Sequence, residues 1–244
     1  MVLTTLLSGR TRRRQPAPAA DDNASTRVTD RAVERFGADP DAPFLVSFPR
    51  TGSHWLRMVM ELYFERPSLV RAFYFADRDD YLACHTHDMD LACERRRVIY
   101  LYRDPVDTVF SQVVYEKQSP TDEQAVAHWA DRYAAHLAKW LVDERFTTEK
   151  TTLRYEQLRA DLPGAFERIT RFFGESLDRD RLERAAQRVT KDEVKRKTSH
   201  DEQVVQLKRD YEAERTRFRE RFGPAVRRRV LDARLELTEA FGEG

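Results

Sequence analysis

Residues 44–56 of the chain read FLVSFPRTGSHWL, an apolar run followed by a sharp turn and the start of an amphipathic segment. The first five residues are of strand type, and apolar side chains from Trp55 to Phe64 recur at helical spacing. Ser53 is a residue type that often caps a helix N-terminus, so the stretch predicts a strand, a tight loop and a helix capped by Ser53. Such a loop directs backbone N–H groups and the positive end of the helix dipole at one point, where an anion is stabilised.

Arg50 adds a fixed positive charge to this predicted anion-binding loop. The GK[ST] ending of a Walker A loop is missing, because Ser53 and His54 follow Gly52. The loop therefore lacks the Lys that would clasp a β- or γ-phosphate, and a nucleoside triphosphatase is disfavoured.

Three further apolar runs predict strands at residues 81–84, 98–102 and 151–155. Strands that alternate with helices indicate a parallel sheet, and ligands of such sheets lie beyond the carboxyl ends of the strands. The predicted fold class is therefore α/β, a P-loop-type parallel β-sheet flanked by helices. The polar and aromatic residues expected at its ligand-binding edge are Arg50, His85 with His87, Arg103 and Tyr155.

Two helices are predicted between the third and fourth strands. Pro105 suits the first turn of a helix that ends near Glu116. Thr121 and Gln124 have the spacing of a capping box for a longer helix. Its inner face would consist of Val126, Trp129, Tyr133, Leu137, Trp140 and Leu141.

The ends of the chain differ from this central part. Residues 1–26 are predicted to be a flexible tail, and residues 27–244 a single domain with core motifs at 44–198 and additional C-terminal helices at 199–244. Breaks in the helical C-terminal third are expected at residues 195–201 and at Gly223-Pro224.

Composition narrows the class of protein. The 43 basic and 42 acidic residues leave a net charge of +1, which argues against a general nucleic-acid binder. Two cysteines are too few for a disulfide framework. No apolar run approaches 18 residues, so stable membrane insertion is not expected, and the expected localisation is cytoplasmic.

The loop at residues 48–55 resembles the 5′-phosphosulfate-binding loop of sulfotransferases that use 3′-phosphoadenosine 5′-phosphosulfate (PAPS). That family's pattern is an aromatic residue, Pro, Lys or Arg, Ser or Thr, Gly, two small residues and Trp. The resemblance implies that Arg50 contacts the phosphosulfate and that Trp55 packs near the adenine. The residues whose backbone would cradle the phosphate are Thr51, Gly52, Ser53 and His54. His54 departs from the small hydroxyl residue usual at its position.

The stretch VIYLYRDPVDTVFSQ, residues 98–112, resembles the same family's 3′-phosphate motif. An Arg at a strand end and a Ser two turns into the next helix can converge on one phosphate. The resemblance places Arg103 and Ser111 on that phosphate and Tyr155 near the adenine. Arg196 and Lys197 lie where the family has an Arg-Lys-Gly loop on the 3′-phosphate, although Thr198 replaces the Gly.

Residues 85–87, His-Thr-His, resemble the family's Lys-Thr-His segment. The resemblance makes His87 the base that deprotonates the acceptor hydroxyl and puts His85 in place of the Lys; an imidazole of near-neutral pKa suits the first task. Two alternatives stay open. These polar residues could simply cap a strand, or a zinc site could form, although the spacing is not that of structural zinc sites. The candidate zinc ligands are Cys84, His85, His87, Asp88 and Cys93.

The resemblance as a whole implies a cytosolic-type, bacterial-like sulfotransferase with PAPS as co-substrate and no metal. Its partner would be a small-molecule, sugar or lipid hydroxyl acceptor, and a homodimer is left open. The aromatic residues Phe73, Tyr74, Phe75 and Tyr81 could line an acceptor pocket or simply belong to the core. Two other classes also stay open, another P-loop phosphotransferase or hydrolase and a non-catalytic nucleotide-binding protein.

Overall fold

A computed structural model describes residues 26–27, 29–145, 147–198 and 210–241. The strands are β1 Thr26–Arg27, β2 Phe44–Ser47, β3 Arg71–Ala72, β4 Cys84–Thr86, β5 Arg97–Tyr102 and β6 Glu149–Arg154. The helices are α1 Asp30–Gly37, α2 Ser53–Phe64, α3 Pro105–Tyr115, α4 Glu123–Leu137, α5 Tyr155–Ala160, α6 Leu162–Phe172, α7 Arg179–Arg188, α8 Lys191–Thr198, α9 Tyr211–Leu231 and α10 Leu235–Phe241. A π-helical turn, Ala138–Val142, continues α4. Within the described ranges, no helix is both long and apolar enough to cross a membrane.

Four strands form a parallel sheet in the order β4-β2-β5-β6. β2 occupies a central position, and all four of its residues are buried because helices cover both faces of the sheet. This explains why its sequence is a continuous apolar run rather than an alternating one. A separate two-stranded ribbon pairs β1 with β3 in antiparallel fashion. The predicted α/β class with a parallel sheet is confirmed.

The two faces of the sheet pack against different helices. Phe44 and Val46 of β2 face a core shared with α3, α4 and α9. Leu45 faces the other core, which is shared with α2, α6 and α7. Helix α9, in the C-terminal part of the chain, is therefore part of the main core rather than an appendage to it.

The carboxyl ends of the strands meet at one edge of the sheet, as predicted. Arg50 follows β2, His87 follows β4, Arg103 follows β5 and Tyr155 follows β6. This common edge is where the sequence analysis places the candidate site.

The bounds of β4 differ from the prediction of residues 81–84. β4 comprises Cys84–Thr86, so His85 lies within the strand. Leu82 and Ala83 instead form backbone hydrogen bonds with the preceding segment, where Leu82 N donates to the Pro67 carbonyl and the Ala83 carbonyl accepts from Leu69 N. These bonds hold residues 82–83 away from the β2 ladder.

Two predicted helix caps were wrong by one residue. Gly52 rather than Ser53 is the N-cap of α2, because the turn requires the positive φ of 93° that Gly52 adopts. Asp122 rather than Thr121 caps α4, and its carboxylate accepts from the backbone N–H groups of Gln124 and Ala125 at 2.9 and 3.3 Å. The Thr121 hydroxyl is bonded to Ser119 Oγ at 2.8 Å.

The predicted break at Gly223-Pro224 does not occur, and α9 continues from Tyr211 to Leu231 with Pro224 inside it. A proline inside a helix costs about 3 kcal/mol. Buried side chains at four-residue spacing on both sides of Pro224 hold the helix against the core. They are Phe218, Phe222, Val226 and Val230.

The expected break at residues 195–201 is not present in its described part. Residues 195–198 form the last turn of α8, and residues 199–201 lie outside the described part of the chain. The predicted flexible tail, residues 1–26, lies outside it as well, except for Thr26 in β1. The division into a tail and one domain stays a prediction.

Candidate functional site

A cleft of about 540 Å³ opens at the carboxyl edge of the sheet. The predicted site residues that line it are Arg50, Gly52, Ser53, His54, Trp55, His87 and Arg103. It is completed by Pro49, Met89, Gln112, Tyr115, Glu116, Trp129, Arg132, Val194 and Thr198. Residues from five separate stretches of the sequence thus meet in one cavity.

The loop between β2 and α2 is held in an unusual backbone conformation. Arg50 and Gly52 both have positive φ, at 69° and 93°. The Thr51 side chain is buried, and its hydroxyl donates to the Phe48 carbonyl at 2.8 Å, which closes the turn. Gly52 supplies no side-chain cap, and the first turn of α2 carries no acidic residue. The N-terminus of α2 therefore keeps its positive electrostatic potential, which favours an anion in the cleft.

Gly52 is also required by its contact with Tyr155. A Cβ atom at position 52 would lie 2.4 and 2.7 Å from two ring carbons of Tyr155, which is closer than real contacts allow. The Arg103 guanidinium lies 5.1 Å from the centre of the same ring. Tyr155 does not line the cleft itself, and instead packs between the loop and Arg103.

His87 is oriented by a backbone carbonyl. Its Nδ1 lies 2.7 Å from the Ser47 carbonyl oxygen, which can only accept, so Nδ1 carries the proton and Nε2 keeps its lone pair. Burial lowers the pKa of His87, the bond to Ser47 opposes that shift, and Arg57 and Arg50 lower the pKa further. His87 is therefore neutral near pH 7, with an unprotonated nitrogen.

His85 lies beside His87 but does not line the cleft within the described residues. Its Nδ1 is 3.4 Å from a guanidinium nitrogen of Arg57 and its Nε2 is 3.2 Å from Ser47 Oγ. Because Arg57 can only donate, Nδ1 accepts and Nε2–H donates to Ser47. Burial and the Arg57 charge hold the pKa of His85 well below its usual range, so this imidazole carries no charge near pH 7.

His54, which replaces a small residue of the family pattern, is also neutral. Burial and the charge of Arg57 lower its pKa to about 3. The ring makes an edge contact with Phe73, with centroids 5.9 Å apart. His54 therefore adds a polar but uncharged wall to the cleft.

The Arg103 region contains an ion cluster. Asp107, one helical turn further on, pairs with Arg103 at 3.4 Å and with Arg215 and Arg219 of α9 at 2.5 and 2.7 Å. Burial raises the pKa of Asp107, but the hydrogen bonds from Arg215 and Arg219 outweigh it and leave the pKa below the usual value. One carboxylate thus contacts three guanidinium groups, of which Arg103 also lies 4.0 Å from Glu156 and Arg215 also lies 3.3 Å from Glu212.

Ser111 is buried below this cluster and does not line the cleft. Its hydroxyl is bonded to the Tyr211 hydroxyl at 2.9 Å. Tyr211 and Arg215 were not predicted as site residues, because they lie about a hundred positions after the residues that they contact. The i,i+4 spacing of Arg103 and Asp107 is the one signal in the sequence that indicates part of this cluster.

Arg196 and Lys197 lie in α8 rather than in a loop, and neither lines the cleft. Arg196 pairs with Glu193 at 2.9 Å, and Lys197 is buried with its Nζ 5.0 Å from the centre of the Tyr74 ring. Val194 and Thr198 of the same helix face the cavity instead. The part of the basic segment beyond Thr198 lies outside the described residues.

The loop after His87 is fixed by α4 and its π-helical continuation. His136 Nε2 lies 2.9 Å from the His87 carbonyl, and its Nδ1 accepts from the Tyr100 hydroxyl at 2.9 Å. Lys139 Nζ and Trp140 Nε1 both donate to Asp88 Oδ2, at 2.8 and 2.9 Å. Asp88 is thus part of a structural clamp, and no three described His, Cys, Asp or Glu side chains are grouped to hold a metal.

The sequence profile of the sulfotransferase domain matches residues 81–224, which is more than half of the chain. The chain belongs to the sulfotransferase family. Among curated proteins, it is 21% identical to sulfotransferase 2A2 of Rattus norvegicus over 195 residues, covering 65% of this chain and 68% of that protein.

Two solved structures of this fold are similar to the chain. Mouse sulfotransferase SULT7A1, complexed with PAP, has a TM-score of 0.51 at 18% identity, covering 86% of this chain and 92% of that one. Retinol dehydratase, in complex with androsterone and the inactive cofactor PAP, has a TM-score of 0.55 at 15% identity, covering 80% of each chain. The expectation of a sulfotransferase with an α/β fold is confirmed.

Proposed function

We propose that this sulfotransferase moves the sulfuryl group of PAPS to a hydroxyl of a small-molecule acceptor, with His87 as the general base. The observation that carries the proposal is the convergence of the loop at residues 50–55, Arg103 and His87 on one cleft of a sulfotransferase-family fold. Two proteins of similar fold hold PAP, the nucleotide that remains when PAPS loses its sulfuryl group, and this supports the choice of donor.

The loop at residues 50–54 is proposed to hold the 5′-phosphosulfate. Its backbone N–H groups at the start of α2 and the Arg50 guanidinium supply positive charge without any proton transfer. Trp55, whose indole N–H donates to the Val189 carbonyl at 3.2 Å, offers a fixed aromatic face at the same end of the cleft. We place the adenine against Trp55, with Tyr155 supporting the loop from behind Gly52.

Arg103 is proposed to hold the 3′-phosphate, with Ser111 and Tyr211 supplying hydroxyl groups close by. The contacts of Arg103 are long: 3.2 Å to the Arg50 carbonyl and 3.4 Å to Asp107. Arg215, by contrast, holds Asp107 at 2.5 and 3.0 Å. Arg103 can therefore turn toward a phosphate while Arg215 and Arg219 keep Asp107 neutralised.

The reaction requires a base at the acceptor and positive charge at the donor. His87 Nε2 takes the proton of the acceptor hydroxyl as its oxygen bonds to sulfur, and the bond from sulfur to the 5′-phosphate oxygen breaks. Arg50 and the loop N–H groups stabilise the charge that the phosphate regains. His85 is neutral and is hydrogen-bonded to Ser47, so we propose that it acts indirectly, by holding the Ser47 side chain. Arg57, which is bonded to the other ring nitrogen of His85, contributes the cation that the family's Lys would supply.

A binding and transfer experiment tests this proposal. We expect calorimetry to detect binding of PAP that ATP with Mg²⁺ does not displace, and ³⁵S-labelled PAPS to transfer its label to members of a panel of hydroxyl acceptors. Displacement by ATP with Mg²⁺ would favour a phosphotransferase or hydrolase. Binding of PAP with no transfer to any acceptor would indicate a non-catalytic nucleotide-binding protein.

A further inference from the structure

One wall of the cleft has no part in the donor scheme. It consists of Met89, Trp129 and Arg132, which are joined through the contacts of Arg132, whereas Tyr115 lies under the Arg50 guanidinium of the donor loop at 5.4 Å. Two of these three side chains are apolar or aromatic, and the third is a cation. A wall of this composition suits a ligand with an apolar or aromatic body and one negatively charged group.

Arg132 is the member of this wall that limits the choice of ligand. It projects from α4, is half-buried, and donates one hydrogen bond from Nη2 to the Met89 carbonyl. Its guanidinium lies 5.8 Å from the centre of the Trp129 ring. Across residues 29–145, 147–198 and 210–241, the contacts of Arg132 are this hydrogen bond and this ring contact, and no carboxylate pairs with it, so further N–H donors can reach a ligand.

The other charged side chains that line the cavity already have a bonding partner or a proposed role. Arg103 pairs with Asp107, and Arg50 belongs to the donor loop. Glu116, the acid that lines the cleft, accepts from Gln112 Nε2 at 2.8 Å. Arg132 is therefore the cation of the cleft that has neither a described carboxylate partner nor a place in donor binding.

We propose that the acceptor is a hydroxyl compound with an aromatic or apolar body and an anionic group, such as a carboxylate or a phosphate, that Arg132 binds. The body lies against Trp129 and Met89, and the hydroxyl points to His87. This inference rests on the proposed function, since it names the acceptor class of the same site. A guanidinium binds either anion through paired N–H donors.

The proposed base and the proposed anion-binding group are connected through a short stretch of chain. Met89, whose carbonyl accepts from Arg132, is two residues from His87. A phenol with a short acidic chain opposite its hydroxyl is a compact compound that presents a hydroxyl at one end and an anion at the other. We therefore choose 3-(4-hydroxyphenyl)propionate as the probe and its carboxamide as the neutral partner, because their rings and hydroxyl groups match.

The experiment measures kcat/KM for both phenols with labelled PAPS. We expect the wild-type enzyme to prefer the carboxylate over the carboxamide by about 10- to 100-fold, the range of one lost charge-assisted hydrogen bond. Arg132→Gln should abolish that preference through KM for the acid while activity on the carboxamide is retained, and Arg132→Lys should restore part of it. Arg221→Gln is the control, since Arg221 also lies over an aromatic ring, 4.7 Å from that of Phe222, outside the cleft.

A third arm uses 4-hydroxybenzylphosphonate to separate the two anions. We compare how much Arg132→Gln lowers activity on the carboxylate and on the phosphonate. The compound with the larger loss carries the anionic group that Arg132 binds. Equal activity of the wild-type enzyme on charged and neutral phenols, or a preference that persists in Arg132→Gln, would overturn the inference. Transfer to the carboxamide in that case would leave the proposed function intact, whereas failure to bind PAP would remove both.

Discussion

Replacing Gly52 by Ala tests how the donor loop is built. The substitution has two separate costs in the structure. The residue has φ 93°, a left-handed conformation that costs an L-residue about 1–2 kcal/mol. The added Cβ would also lie 2.4 Å from the Tyr155 ring, and overpacking of this kind costs about 1–3 kcal/mol. We therefore expect Gly52→Ala to lower the free energy of unfolding by about 2–5 kcal/mol.

Gly174 provides a matched control for the first of these costs. Its φ is 73°, and a Cβ there would meet no atom within 4 Å. Gly174→Ala should therefore cost only the backbone part, about 1–2 kcal/mol. The gain that Ala brings by restricting the unfolded chain is the same at both sites and cancels in the comparison.

Urea unfolding and calorimetry with PAP would measure the two effects. We expect Gly52→Ala to lose more stability than Gly174→Ala and also to weaken PAP binding, because the ring contact forces the loop to move. In a Tyr155→Ala background, the cost of Gly52→Ala should fall to that of Gly174→Ala. Equal costs of the two glycine variants in the wild-type background would refute the close contact between the loop and Tyr155.

Three further predictions concern charge and proton binding. Only neutral His87 can act as a base, and its pKa is lowered from the ordinary value of 6.5. We therefore expect kcat/KM to be constant down to pH 6.5 and to decrease only at lower pH. A decrease in kcat/KM that begins above pH 6.5 would contradict this. Arg103→Ala should weaken PAP binding by about 1.5–3 kcal/mol in calorimetry, while Arg229→Ala, which removes an exposed pair with Asp131, should leave it unchanged. Burial lowers the pKa of His136 to about 3, so below pH 6.5 the unfolded chain binds a proton that the folded chain does not, and stability falls on acidification. Between pH 4 and 6, the slope of the unfolding free energy against pH should be smaller in His136→Gln than in the wild-type protein by about 1.4 kcal/mol per pH unit. An unchanged slope would contradict the neutral state of His136.

The sheet and its ligand-binding edge could be predicted because they depend on local patterns. Buried parallel strands are continuous apolar runs, and the residue after each run lies at the same edge. Arg50, His87 and Arg103 were found in this way. The same local signals were less accurate for caps, where neighbouring residues such as Thr121 and Asp122 are both suitable and side-chain geometry decides between them.

The remaining parts of the site depend on contacts between distant segments. Tyr211 reaches Ser111, and Arg215 reaches Asp107, across about a hundred residues that no periodicity connects. The course of α9 through Pro224 likewise depends on packing against α3 and α4, which outweighs the local preference of proline. His136 has the sequence pattern of a core residue, and its bond to the His87 carbonyl becomes apparent only in the fold.

The most direct test of the proposed activity compares the wild-type protein with His87→Ala in the transfer of label from ³⁵S-PAPS to 3-(4-hydroxyphenyl)propionate, with PAP affinity measured on both. We expect the wild-type protein to transfer the label, His87→Ala to be slower by about 10²-fold or more, and the two to bind PAP equally. Near-normal turnover in His87→Ala would contradict its role as the base, and no transfer by the wild-type protein to this or any other hydroxyl acceptor would contradict the proposed reaction.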